Sequence, residues 1–273
     1  MKKVFLMMAL AMGAMHISCA SGRTASAETV SARAVGDDNV GVKTYYLKDF
    51  QGVQLSGAFH VTYTEGATYE VKVRAEESMF DVIVLEVEKG VLVAKFKKQT
   101  TFNSSDKMPE LMITAPKMNQ ITCSGACSFE TAGLTADEFR VTASGATKLN
   151  LGTVHCQSAE ITNSGATETN LKLFASTTVR VRNSGASKGK MEVEAVTFEV
   201  SNSGATNMDY AFLGNTVEVR NSGAGNSRMK VDCRSLRCTN SGVSNIEITG
   251  TADDVTLEGS GRSKVNVKGL NKY

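Results

Sequence analysis

Asn163-Ser164-Gly165-Ala166, Asn183-Ser184-Gly185-Ala186, Asn202-Ser203-Gly204-Ala205 and Asn221-Ser222-Gly223-Ala224 are four copies of one tetrapeptide. Weaker copies extend the series in both directions, keeping the Ser-Gly pair at Ser124-Gly125, Ser144-Gly145, Ser241-Gly242 and Ser260-Gly261. The eight serines are separated by 20, 20, 20, 19, 19, 19 and 19 residues. A fixed period of this size is the mark of a solenoid, in which each repeat lays down one rung against its neighbour.

The residues around each serine say how a rung is built. Five positions before it stand Phe139, Val179, Phe198, Val217, Leu236 and Val255; three before stand Ile121, Val141, Ile161, Val181, Val200, Val219, Cys238 and Leu257. These positions share parity and so share one face of a strand, while Arg140, Glu160, Arg180, Glu199, Glu218 and Arg237 alternate on the other. Seven residues after the serine come Leu151, Leu171, Met191, Tyr210, Met229, Ile248 and Val267, again flanked by polar residues. The pattern predicts two strands per rung, apolar inward and polar outward, joined at a Ser-Gly corner. One rung cannot bury its apolar face alone; stacking at about 4.8 Å per rung buries all of them in one column, roughly 34 Å over seven steps. The fold class expected is all-β, a right-handed parallel β-helix of about eight rungs. The hand follows from the sterics of parallel crossovers.

At the corner, Gly125, Gly145, Gly165, Gly185, Gly204, Gly223, Gly242 and Gly261 serve where the chain turns with positive φ or passes close to its neighbour. The asparagine before the serine has core parity. Asn163, Asn183, Asn202, Asn221 and Asn240 are therefore expected to point inward and stack as an amide ladder. The alternative is that asparagine is simply tolerated in a left-handed turn. Cys123 and Ala143 take the place in the first two rungs, so a ladder would begin at Asn163.

Before the repeats, residues 42–120 read as a non-repetitive β region that caps the stack. Ser56-Gly57-Ala58 within it echoes the repeat. Lys89-Gly90 between two apolar alternations signals a hairpin, Glu76 to Phe80 a short helical turn, and Ala115-Pro116 a strand end. Residues 121–273 form the repeat solenoid, continuous with the cap. The last rung carries Arg262, Lys264, Lys268 and Lys272, charges that discourage edge pairing. They weigh toward a monomer, with a homotypic contact at the C-terminal rung as the alternative.

The N-terminus reads as an export signal. Lys2 and Lys3 precede an uncharged apolar run, Val4 to Ile17, shorter than the about 20 residues a membrane span needs. Residues 1–18 resemble a bacterial lipoprotein signal, with Cys19 as the residue that takes the lipid, although His16 stands where that signal usually has Leu. Cleavage after Ala27, at Ala25-Ser26-Ala27, is the alternative. Residues 19–41, small and polar, read as a flexible tether. The expectation is an exported, outer-membrane lipoprotein, periplasmic or surface-exposed, partnered with the membrane through its lipid. Removal of Lys2 and Lys3 leaves 28 basic against 28 acidic residues with no basic stripe, which argues against nucleic acid.

The pattern resembles the autotransporter-adhesin head family named for its GIN motif. The resemblance is carried by Phe50 through Phe59, Leu111-Met112-Ile113 with Ala115-Pro116, and the Ser-Gly rungs to Ser260, over roughly residues 45 to 262. It implies a right-handed parallel β-helix without established catalytic residues, in lipoproteins and secreted proteins of Bacteroidetes-type bacteria. The chain departs from it at Cys123 and Cys127, which flank Ser124-Gly125-Ala126 and could close a small disulfide; Cys233 and Cys238 could also pair.

No nucleophile motif, phosphate loop or metal signature occurs, and no cofactor is expected. Asp137-Glu138 and Asp253-Asp254 are adjacent, and neighbours on a strand point to opposite faces. The outer positions alternate in sign, which suits charge pairing between rungs. The reading is a non-enzymatic envelope module for adhesion or scaffolding, its glycan or protein ligand unidentified. The alternative, a polysaccharide lyase or hydrolase on a β-helix, rests on fold analogy. The absence of Trp and the core placement of most repeat aromatics weaken a sugar-stacking platform.

Overall fold

The computed structural model describes residues 39–97 and 108–271. The signal segment, Cys19, most of the tether and Lys272 lie outside the described residues. Among the described residues, fifteen strands form one sheet. In the N-terminal region these are β1 (Val40–Tyr45), β2 (Gly52–Glu65), β3 (Glu70–Glu76), β4 (Ile83–Glu88), β5 (Val91–Phe96) and β6 (Glu110–Ala115). The repeats supply β7 (Gln120–Thr131), β8 (Gly133–Thr135), β9 (Glu138–Cys156), β10 (Ser158–Ala175), β11 (Thr178–Asn202), β12 (Ala205–Asn221), β13 (Ala224–Asn240), β14 (Val243–Gly259) and β15 (Lys264–Asn271). The chain is an all-β solenoid of about eight turns, with a non-repetitive β region at its N-terminus.

From β7 to β15 every rung pairs in parallel with the next, and like residues face like: Ile161 lies beside Val181, Asn163 beside Asn183, Gly165 beside Gly185. The two strands expected per rung are, from β7 to β11, one long strand bent at the corner, because the ladder runs unbroken through Ser-Gly-Ala. At Ser203-Gly204, Ser222-Gly223, Ser241-Gly242 and Ser260-Gly261 it lapses. The columns read from the repeat are the core: Phe139, Val179, Phe198, Val217 and Leu236 are buried, as are Leu171, Met191, Tyr210 and Met229. Each such large side chain contributes about 1.5–3 kcal/mol, offset by the cost of ordering the chain. The lowest rung is the exception: Val255 and Val267 are half-buried and Leu257 is 39% exposed, because no described rung lies beneath them. Outer-face charges do pair between rungs, as in Arg180–Glu199 at 2.9 Å and Lys188–Glu168 at 3.0 Å. Exposed pairs of this kind are worth about 0–1 kcal/mol each.

The solenoid starts earlier than the repeat period suggests. β2 pairs in parallel with β7, setting Ser56, Gly57 and Ala58 against Ser124, Gly125 and Ala126. The echo at Ser56 is a full rung, separated from the next by an insertion. That insertion builds the cap. β5 and β6 lie side by side in sequence along β2, both parallel to it, and make one composite rung. Outside them the sense reverses: β4 is antiparallel to β5 through a turn at Lys89 (φ 50°) and Gly90 (φ 77°), β3 is antiparallel to β6, and β1 is antiparallel to β3. β1 begins at Val40, two residues inside the span 19–41 that the sequence reading assigns to a tether.

Candidate functional site

The corner is the most regular part of the molecule. Asn163 Nδ2 donates to Asn183 Oδ1 at 2.9 Å, Asn183 Nδ2 to Asn202 Oδ1 at 2.8 Å, and Asn221 Nδ2 to Asn240 Oδ1 at 3.0 Å. All five amides are buried. The column has one gap, between Asn202 and Asn221: Asn202 Nδ2 and Asn221 Oδ1 have no partner among the described residues. Tyr210 enters on the Asn202 side of this gap. Its hydroxyl accepts from Asn183 Nδ2 at 2.9 Å and donates to Asn202 Oδ1 at 3.4 Å. Burial raises the Tyr210 phenol well above its ordinary value. At the lower end Asn240 Nδ2 donates to the carbonyl of Lys264 at 3.0 Å and so fastens the last rung.

Beside the amides, the hydroxyls of Ser124, Ser144, Ser164, Ser222 and Ser241 tie their corners to the preceding rung. Ser124 Oγ donates to the Leu55 carbonyl at 3.1 Å and Ser241 Oγ to that of Asn221 at 3.3 Å. The glycines answer two separate needs. Gly185 has φ 134°, and an added Cβ would stand 2.5 Å from the Gly165 carbonyl oxygen. Gly204 lacks positive φ, but a Cβ there would collide with the backbone of Gly185.

Cys123 and Cys127 are free thiols on either side of the Ser124-Gly125 corner, not the small disulfide their spacing suggested. The Cys127 sulfur is turned to the Gly57 carbonyl oxygen, 3.2 Å away. The hydrogen bond between the two thiols holds Cys127 below the ordinary thiol range and, with burial, pushes Cys123 up. Cys233 and Cys238 are free and buried, both raised by burial to about 11.

Two shallow grooves run across the rungs. One, about 490 Å³, follows the alanines after the glycines: Ala126, Ala146, Ala166, Ala186 and Ala205, bordered by Lys148, Glu168 and Lys188. The Lys188 hydrogen bond holds Glu168 below the usual carboxylate range. The other, about 330 Å³, lies on the second half of the rungs and is lined by Lys172, Phe174, Glu192, Glu194, Leu213, Lys230 and Asp232 among others. Here Phe174 stacks on His155, centroids 5.0 Å apart and 8° from parallel, with the Lys172 ammonium 5.0 Å from its ring centre. Leu213, two rungs further, is 50% exposed. Lys190 holds the Glu192 carboxyl down through a 2.8 Å pair.

Sequence reasoning passed over Phe174 and Leu213. The signal was there: both occupy the outward column His155, Phe174, Glu194, Leu213, Asp232, where the pairing register makes an apolar side chain the odd one out. Among the described residues no group of three or more His, Cys, Asp or Glu side chains is placed to hold a metal ion. No helix among them is long and apolar enough to cross a membrane.

A parallel solenoid with long lateral faces and grooves that cross several rungs is the form of a repeat-built binding module. The chain belongs to the family described as "Putative auto-transporter adhesin, head GIN domain", whose model matches residues 49–211 and 196–272. Two crystal structures of adhesin-type proteins share the fold. The one from Bacteroides fragilis NCTC 9343 has 18% identity and TM-score 0.62, covering 85% of this chain and 98% of its own. The one from Parabacteroides distasonis ATCC 8503 has 16% identity and TM-score 0.68, covering 85% and 96%. No curated protein matches the chain.

Proposed function

We propose that the chain is a non-enzymatic adhesion module of the cell envelope, carried on a lipid at Cys19. Its ligand surface is the groove around Phe174 and Leu213, and it engages an extended partner, a surface glycan or a polypeptide, laid across several rungs. The observation that carries this reading is the half-buried Phe174 and the exposed Leu213 in an otherwise polar outward column, with lysine and carboxylate side chains on both sides. An aromatic face with a cation above it and charged groups at its rim suits a ligand that is part apolar and part polar. Membership of an adhesin-head family supports the same reading.

The test is adhesion of beads coated with the protein to glycan panels, matrix proteins and bacterial or host surfaces. Phe174→Ala combined with Leu213→Ser should abolish capture without moving the unfolding midpoint. Val196→Ser, which removes another exposed apolar residue outside the groove, should leave capture intact. Capture unaffected by the double change would overturn the placement. Turnover of an acidic glycan, lost on mutating Glu192 or Glu194, would replace the module with a lyase or hydrolase.

A further inference from the structure

Among the described residues no strand lies against the lower edge of the rung Ala252 to Asn271: β14 from Ala252 to Gly259 pairs with β13, and β15 pairs with β14. Read on β15 alone, this edge is basic, with Lys264 and Lys268 pointing outward. The structure adds its other half. The free stretch of β14 is acidic, with Asp254 and Glu258 exposed, and the two halves meet at the Gly261 corner. We propose that this edge is a self-complementary docking surface, and that a second copy of the chain pairs with it tail to tail in an isologous dimer.

A two-fold axis through the Gly261 corner lays β15 antiparallel against the free stretch of β14 in the second copy. Counting outward from the corner, Lys264 then faces Glu258, Val265 faces Leu257, Asn266 faces Thr256, Val267 faces Val255, and Lys268, at the bulge where β15 slips one residue against β14, faces Asp254. Every apolar residue meets an apolar one and both lysines meet acids. Val255, Val265 and Val267 are only partly buried against the core and Leu257 is exposed, so the contact covers what the stack leaves open. Shifting the register by two residues loses both charge pairs. Shifting it by one sets each apolar residue against the outer face. Two ramps of the same hand related by such an axis stay at constant separation, so the pitch of the rungs is no obstacle. Charge on β15 alone argued for a monomer; with the acidic half in place, the symmetric contact joins unlike charges. Tail-to-tail pairing points the two N-terminal caps in opposite directions, so copies tethered to two facing surfaces can meet through it. That last consequence, unlike the dimer, rests on the N-terminal anchor proposed above.

Sedimentation velocity of the full chain in density-matched detergent tests this. The wild type should dimerise, and Lys264→Glu or Glu258→Lys alone should each raise the dissociation constant on the order of tenfold or more, since symmetry turns two attractions into repulsions. The two changes together restore both pairs and should return the constant to near wild type. Lys268→Asp with Asp254→Lys repeats the test at the other pair. Unchanged unfolding midpoints exclude misfolding as the cause. A wild type that stays monomeric to about 100 μM, a weak affinity for a specific contact, overturns the proposal. So does a dimer that neither single swap weakens, or one that neither double swap restores.

Discussion

Asn183 Nδ2 stands 2.9 Å from the hydroxyl oxygen of Tyr210, so one buried amide serves both the column of asparagines and a side chain from the other half of a neighbouring rung. With its bonds to Asn163 and Asn202, Asn183 has three side-chain partners, whereas Asn202 has Asn183 and Tyr210 and an unpaired Nδ2. Asn183→Ala should therefore cost about 2–3 kcal/mol and Asn202→Ala less, about 1–2 kcal/mol. Glu199→Ala on the wet face should stay within about 0.5 kcal/mol. Denaturant titration gives the order, and equal midpoints for Asn183→Ala and Glu199→Ala would show that the amides contribute nothing as a stack.

Tyr210 also sets a pH dependence. Its phenol is raised above the ordinary value of 10.0 by burial, so the folded chain keeps a proton that the unfolded chain gives up. Its stability is fully present below that ordinary value and is lost as pH climbs through the window above it. Tyr63, raised chiefly by burial too, adds to the same fall. Thermal melts should show the midpoint dropping as pH rises above about 10, with a smaller drop in Tyr210→Phe. Identical slopes in the two proteins would remove Tyr210 as a cause.

The thiol pair at the Ser124-Gly125 corner makes a chemical prediction. Cys127 is held low chiefly by its hydrogen bond with Cys123. Cys123→Ala removes that bond, so the pH at which Cys127 becomes reactive should move up. The pH profile of iodoacetamide labelling, followed by peptide mapping, reads it out; a profile at lower pH in the variant would contradict the assignment.

Lipidation has a direct readout. Radiolabelled fatty acid should enter the wild-type protein in growing cells and not Cys19→Ser. Equal labelling of both would leave simple secretion, with cleavage after Ala27.

The repeat was legible because a solenoid writes its geometry into its period: parity alone placed Phe198, Val200 and Tyr210 in the core, and all three are there. What parity cannot carry is where a side chain ends. Tyr210 occupies the slot of Leu171 and Met191, and nothing in the slot foretells that its hydroxyl reaches the asparagines. Leu257 has the parity of Cys238 yet is exposed, since burial depends on the next rung as well as on the face. Ser56 was visible as an echo, but the insertion before Ser124 hid its register. Phe174 is hidden for a different reason: most aromatics of the repeat stand in core positions, and it stands in an outward one.

The composite rung of β5 and β6 has a consequence for the order in which the molecule assembles. Successive repeats join residues 19 or 20 apart, but β2 meets β7 across 68 positions, Ser56 to Ser124. Closing the longer loop costs about 1 kcal/mol more in chain entropy. Growth from rung to rung is quick and local, whereas the cap waits for strands drawn from both sides of a long insertion. A nucleus in the asparagine repeats, zipping outward and sealing its amino-terminal end last, is the route this topology favours, and it leaves the earliest-made part of the chain the last to lock.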